Sequence, residues 1–169
     1  MRKTLLRTVF RRFSPATENR LLRPFLVVTG LVVGAGWFEM RVVIPQWAEA
    51  SNAEEVAEAL ERSGHMASGK QFWALVSPAA VLLTAANLYA AVGSEAPRRG
   101  PWILASGTAA VTSAATAAYF VPELHRLSSA HDLNDRQVRE RIRRRVRLDQ
   151  VRLVALTATW YAGLRALSR

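Results

Sequence analysis

Two long stretches of the chain carry no charge at all. Residues 71–94 hold 24 positions, and residues 100–122 hold 23, without an Asp, Glu, Lys or Arg. A helix crossing the hydrocarbon core of a bilayer needs about 20 apolar residues. A soluble helix of that length would show a charged face. A further apolar segment, 24–47, is interrupted by Glu39 and Arg41. The last, 148–167, is the most broken, because only the 12 residues 153–164 are free of charge. It reaches spanning length if Asp149, Arg152 and Arg165 sit near its ends or face protein, since arginine can snorkel to the interface. The pattern predicts an all-α fold: a four-helix transmembrane bundle running up, down, up and down, with spans near 24–47, 71–94, 100–122 and 148–167. A soluble four-helix bundle with a very apolar middle pair is the weaker alternative. Trp47, Trp73, Trp102 and Tyr119 fall near the ends of these segments, where interfacial aromatics concentrate.

The polar segments between the spans have their own order. Residues 1–23 carry seven Lys/Arg and one acid, Glu18. Leu5, Leu6, Val9, Phe10 and Phe13 share a helical face with Arg7 and Arg11 largely opposite. This predicts a basic amphipathic helix on an anionic lipid surface, set before a membrane domain at 24–169. The first loop, 46–70, is acidic, and Asn52 and Glu55 have capping-box spacing for a short helix to about Gly64. Asn134 and Gln137 repeat that spacing, so a helix should start there and run unbroken into the last span. The acidic first loop and the arginine-rich third loop would share one side and could pair there.

The composition now reads differently from its first impression. The 169 residues are 50% hydrophobic and carry a formal net charge of +10. That charge raises a nucleic-acid reading. The arginines of 136–147 point all round their helix with few aromatics among them, so no nucleic-acid partner is expected. Cysteine is absent, which excludes disulfides and thiolate chemistry. No cofactor motif is present, and His65, His125 and His131 lack ligand spacing, so neither a cofactor nor a metal is expected. The positive-inside count is nearly balanced, with eleven Lys/Arg on one side and ten on the other. A cytoplasmic N-terminus in the cell membrane is favoured because the first basic segment usually dominates.

An up-down order brings polar residues to one end of the bundle. The first helix supplies Glu39 and Arg41, the second Trp73, the third Tyr119, Glu123 and His125, and the fourth Asp149, Arg152 and Trp160. Charged groups inside a span are costly and normally pair in the interior. Glu39 and Arg41, two apart, face different ways. Arg152 is therefore the expected partner of Glu39 or Glu123, and Asp149 that of Arg41. Such a cluster is either interhelical glue or a pocket able to transfer protons. Gly30 and Gly34 form a GxxxG pair for close helix approach. Asn87 is better suited to a hydrogen-bonding strut than to a ligand contact.

Several short motifs resemble the anthrone oxygenase-like family of small four-helix membrane proteins. They are Gly34-Ala35-Gly36-Trp37-Phe38-Glu39 leading to Val43-Ile44-Pro45-Gln46-Trp47, then Phe72-Trp73-Ala74-Leu75-Val76-Ser77-Pro78. Tyr119-Phe120-Val121-Pro122-Glu123-Leu124 and the Arg152/Trp160 pattern complete them. Typical members carry an asparagine soon after the helix-three proline, where this chain has Glu123 and His125. The resemblance implies cofactor-independent oxidation of a flat polyketide anthrone by molecular oxygen. Such a reaction needs a base, a stabiliser of the resulting anion and an aromatic floor. Glu39, Glu123 or His125 would be the base, and Arg41 and Arg152 would hold the anion. Trp37, Phe38, Trp73, Asn87, Tyr119, Asp149 and Trp160 would line the substrate site. The competing expectation is a non-catalytic membrane accessory subunit whose charged cluster is structural. Homo-oligomerisation stays open under either.

Overall fold

A computed structural model describes residues 13–50, 52–62, 65–128 and 134–169. The described residues are helical throughout, joined by short connections, with no strand among them. Helix α1 spans Pro15–Phe38, α2 Ile44–Ala48, α3 Ala53–Arg62, α4 His65–Gly93, α5 Arg99–Ala115, α6 Val121–Ser128 and α7 Asp135–Leu167. Stretches of π-helix, Glu39–Val43 and Thr116–Phe120, join α1 to α2 and α5 to α6.

Local sequence accounts for the helix starts. The Ser14 hydroxyl accepts from the Thr17 amide, and Pro15 sits at the first helical position, where its missing N–H costs nothing. The Glu55 amide donates to the Asn52 side chain as the spacing predicted, and the Glu55 carboxylate accepts from the Asn52 side-chain amide. Asn134 and Gln137 form a full capping box, and α7 then runs 33 residues without a break. Residues 1–12 of the expected basic segment lie outside the described residues, and its boundary at 23/24 falls inside α1.

Both π stretches precede a proline. Pro45 and Pro122 each follow the π stretch by two residues, and each has its i−4 carbonyl inside it, at Arg41 and Ala118. A proline ring clashes with that carbonyl in a regular α-helix and donates no bond to it. Widening the turn relieves the clash. Proline alone is not sufficient, because Pro24 and Pro78 sit within continuous α-helix.

Among the described residues, three helices are long and apolar enough to cross a membrane. They are Pro15–Ala48, Gln71–Gly93 and Arg99–Leu127, with mean hydropathies of 1.7, 1.7 and 1.2. The fourth expected span, in α7, is not among them, since Asp149, Arg152 and Arg165 dilute it. The outward faces are apolar: Leu75 is 79% exposed, Leu82 71% and Val111 69%. Helices with such faces suit a lipid surround, where there is no water to avoid.

Helix α1 packs on α4 and α7, and α5 packs on the same two. At one end, Leu22, Phe25, Ala90, Ala91, Trp102, Ala105, Ala109, Ala162 and Ala166 form a core. A partly buried ion pair of 2.9 Å between Glu18 and Arg98 closes that end. At the other end, Val43, Ile44 and Trp47 meet Val56, Ala59, Leu127, Val138 and Ile142. The first and third loops therefore meet through apolar side chains. Glu54, Glu55 and Glu58 lie exposed, with Glu58 bonded to Arg62 of its own helix.

Close approach is not where the GxxxG spacing put it. A Cβ on Gly34 would meet nothing, whereas one on Gly30 would lie 3.1 Å from Trp160 Nε1. On Gly36 it would lie 2.8 Å from a Leu153 methyl, and on Gly163 2.8 Å from a Leu26 methyl. The crossing of α1 and α7 thus uses Gly30, Gly36 and Gly163.

Candidate functional site

The charged cluster is built on α7, with residues 145, 149 and 152 on one face by their 4- and 3-residue spacing. The buried Asp149 carboxylate accepts from Arg152 Nη2 at 2.6 Å and Nε at 2.7 Å, both on Oδ1. Arg152 Nη1 donates to the Thr116 hydroxyl at 3.1 Å. Thr116 passes its own proton back to the Thr112 carbonyl at 2.7 Å. The Arg152 guanidinium lies 4.7 Å from the Phe120 ring centroid, a cation–π distance. Each of these groups is thereby tied to the π stretch that follows α5.

Arg145 extends the same arrangement. It donates to the Phe120 carbonyl at 2.6 Å and lies 5.9 Å from the centroids of both Trp47 and Phe120. Burial holds its guanidinium below the ordinary value, and Asp149 pulls it back up. Its Nε is buried without a partner among the described residues. Glu123, also buried, takes Arg141 at 3.6 Å and Arg126 at 4.0 Å.

The remaining candidate residues are dispersed. Glu39, half-buried, accepts from Trp73 Nε1 at 2.9 Å. Arg41 is exposed, so the expected Asp149–Arg41 pair is replaced by Asp149–Arg152 within α7, one turn apart. Likewise Arg152 meets neither Glu39 nor Glu123 as an ion-pair partner. His125 and Phe38 face outward. Tyr119 meets Phe120 edge-to-face, with Arg144 at 6.0 Å from its ring centroid. Trp37 donates to Thr157 at 3.3 Å. Trp160 donates to the Leu26 carbonyl at 3.2 Å. Asn87 lies with the opposite core, fully buried, donating to Leu21 and Leu83 carbonyls and accepting from Trp102 Nε1 at 3.0 Å. It is a strut between α4, α1 and α5.

Sequence reasoning overlooked Arg145 and the Phe120 carbonyl. The 145/149/152 face was readable, and Pro122 marks the place where the backbone opens. Among the described residues, no three of His, Asp and Glu gather where an ion could be held. Two cavities, of about 440 and 350 Å³, lie at the end of the molecule away from the charged cluster. Comparison with protein families, with curated proteins and with solved structures returns no match for this chain.

Proposed function

We propose that the chain is a four-span membrane protein, up-down-up-down with a cytoplasmic N-terminus, and that it acts as a non-catalytic accessory subunit. The single observation carrying the subunit reading is the Asp149–Arg152 pair, which Thr116 and the Phe120 ring close off. A cluster so paired spends its charges on joining two helices. Such glue is what charges in a span most often do.

A fourth span is supported by the faces of α7. Its exposed charges stop at Arg147 and resume at Arg165, leaving 17 residues between them. Within that interval Asp149 is buried and Arg152 is turned inward, while Val151, Val154 and Tyr161 are exposed. Seventeen helical residues rise about 26 Å, the short end of the spanning range.

Paired replacement tests the structural role. Asp149→Asn alone should lower the melting temperature in detergent, because it leaves Arg152 without its counter-charge. Asp149→Leu with Arg152→Met should recover most of the loss, since well-packed apolar groups can replace a buried pair. Single variants that melt like the wild type would overturn this reading.

Oxygenase activity on an anthrone is the second reading, favoured by Glu39. That carboxylate is half-buried, oriented by the Trp73 indole, and carried on a π stretch. Such bulges are frequent at functional sites. Glu39 would take the benzylic proton, and oxygen would deliver one atom to the ring carbon and one to water. Purified protein given anthrone and oxygen should then form anthraquinone, and Glu39→Gln should abolish it. Wild-type turnover no faster than the uncatalysed background would sink this alternative.

A further inference from the structure

The larger cavity is a groove between the start of α5 and the end of α7. Pro97, Gly100, Pro101 and Leu104 form one wall, and Ala158, Tyr161, Ala162, Arg165 and Arg169 the other. Leu104 and Tyr161 are about three-fifths exposed, so the groove opens outward, toward the surroundings of the bundle. Its walls are apolar along most of the length, and the charge lies at one end.

At that end the groove is lined by two guanidinium groups and no carboxylate side chain, and Arg169 also borders the second cavity, which carries Glu18 and Glu95. Arg165 lies in the last turn of α7 and Arg169 just past the helix end, and both line the same groove. Two like charges placed together there repel. Arg165 makes no ion pair with a described residue. An anion between the two would remove the repulsion, and a guanidinium fork matches phosphate oxygens in pairs. Gly100 completes the shape, because a Cβ there would meet no atom within 4 Å and the space beside it is open.

We propose that this groove binds one anionic glycerophospholipid of the surrounding leaflet. Its phosphate lies between Arg165 and Arg169, and an acyl chain runs along Leu104, Ala158 and Tyr161. The source is the bilayer, because the groove opens outward between two helices and is apolar below the arginines. Basic pockets between spanning helices near the cytoplasmic face take head groups in this way. The proposal rests on the membrane placement of α5 and α7 and is independent of whether the protein is catalytic.

The test uses the full chain in nanodiscs of mixed phosphatidylglycerol and phosphatidylcholine, released into the gas phase for native mass spectrometry. The wild type should retain one phosphatidylglycerol in preference to phosphatidylcholine by at least fivefold. Arg165→Ala with Arg169→Ala should erase the preference. Gly100→Leu keeps both arginines but fills the groove, and it should also lose the bound lipid. Arg143→Ala with Arg144→Ala, at the opposite end, should retain it. Glycerol phosphate, which has the head-group charge without acyl chains, should not displace the lipid. Equal retention of both lipids by the wild type overturns the proposal, as does phosphatidylglycerol binding that survives either groove variant. Displacement by glycerol phosphate would make the site one for a soluble phosphate and overturn the lipid assignment. Failure to enter nanodiscs would overturn the membrane reading with it, whereas insertion without lipid preference would sink this inference alone.

Discussion

Arg145 donates to the main-chain carbonyl of Phe120 at 2.6 Å across 25 residues of sequence. Phe120 closes the second π stretch, and Pro122 follows it. The proline perturbs the regular ladder, and the arginine partners a carbonyl that the irregular turn presents. Two forces oppose each other here. Burial disfavours the guanidinium, while a charge-assisted bond to a carbonyl is worth about 1.5–3 kcal/mol. If the bond wins, Arg145→Met, which keeps the apolar stem, should lower unfolding stability by about 1–3 kcal/mol. Arg145→Lys should fall between, since it keeps a charge but loses the planar fork. Chemical unfolding in a fixed detergent gives both numbers. A more stable Arg145→Met would show that burial dominates.

Asn87 and Trp102 should behave as one unit. Both are fully buried, and the Asn87 oxygen accepts the indole N–H. Asn87→Ala strands that N–H, while the Leu21 and Leu83 carbonyls keep their helical partners. A stranded buried donor costs about 1–3 kcal/mol, so the loss should exceed that of an ordinary small deletion. Adding Trp102→Phe removes the stranded donor. The double variant should therefore be less destabilised than the sum of the singles, with coupling above about 0.5 kcal/mol. Strict additivity in the thermal unfolding series would mean the strut carries no weight.

These two cases mark what the sequence made legible. The uncharged runs announced helices long and apolar enough to cross a membrane, because the cost of a charge in lipid is large and leaves its absence visible. The capping pairs at Asn52 and Asn134 announced helix starts for an equally local reason. Asn87, lone and polar in an apolar run, was readable as a strut. The partners of Arg152 were not. Glu39 and Glu123 were the expected partners, whereas Arg152 meets Asp149 three residues away on its own helix. Whether a partner on another helix comes within reach depends on helix rotation, which spacing does not fix. The π stretches shift that rotation partway along two helices. A face drawn through Thr112, Thr116, Tyr119 and Glu123 at a constant 3.6-residue period is therefore interrupted at 116–120.

The glycines separate packing from mere composition. Gly34 is exposed and its Cβ would meet nothing. Gly34→Ala should therefore raise stability by about 0.5–1 kcal/mol, the usual gain in a helix interior. Gly30→Ala should lower it. Its Cβ would press on Trp160 Nε1 at 3.1 Å. That indole is already bonded to the Leu26 carbonyl and cannot move without loosening the bond. Gly163→Val should cost more than either, because its Cβ alone comes within 2.8 Å of Leu26. Melting temperatures ordered Gly34→Ala, wild type, Gly30→Ala, Gly163→Val from high to low would bear this out. A loss at Gly34 equal to that at Gly30 would restore the simple GxxxG reading.

The fourth span makes a prediction about sidedness. If α7 crosses the membrane, Arg143 and Arg165 lie on opposite faces. Arg98 then shares a side with Arg165, and Glu58 with Arg143. If α7 instead lies outside the bilayer, Arg143 and Arg165 are reached from one side. The chain contains no cysteine, so single cysteines at these exposed or partly exposed positions report without background. In sealed vesicles, a membrane-impermeant maleimide should label Arg143→Cys and Glu58→Cys together. Arg98→Cys and Arg165→Cys should react only after the vesicles are opened, or the reverse if the vesicles are inverted. Val154→Cys, exposed on the apolar face between them, should resist the reagent from both sides, because a thiol in hydrocarbon stays protonated and unreactive toward maleimide. Labelling of Arg143→Cys and Arg165→Cys from the same side would reduce the membrane domain to three spans.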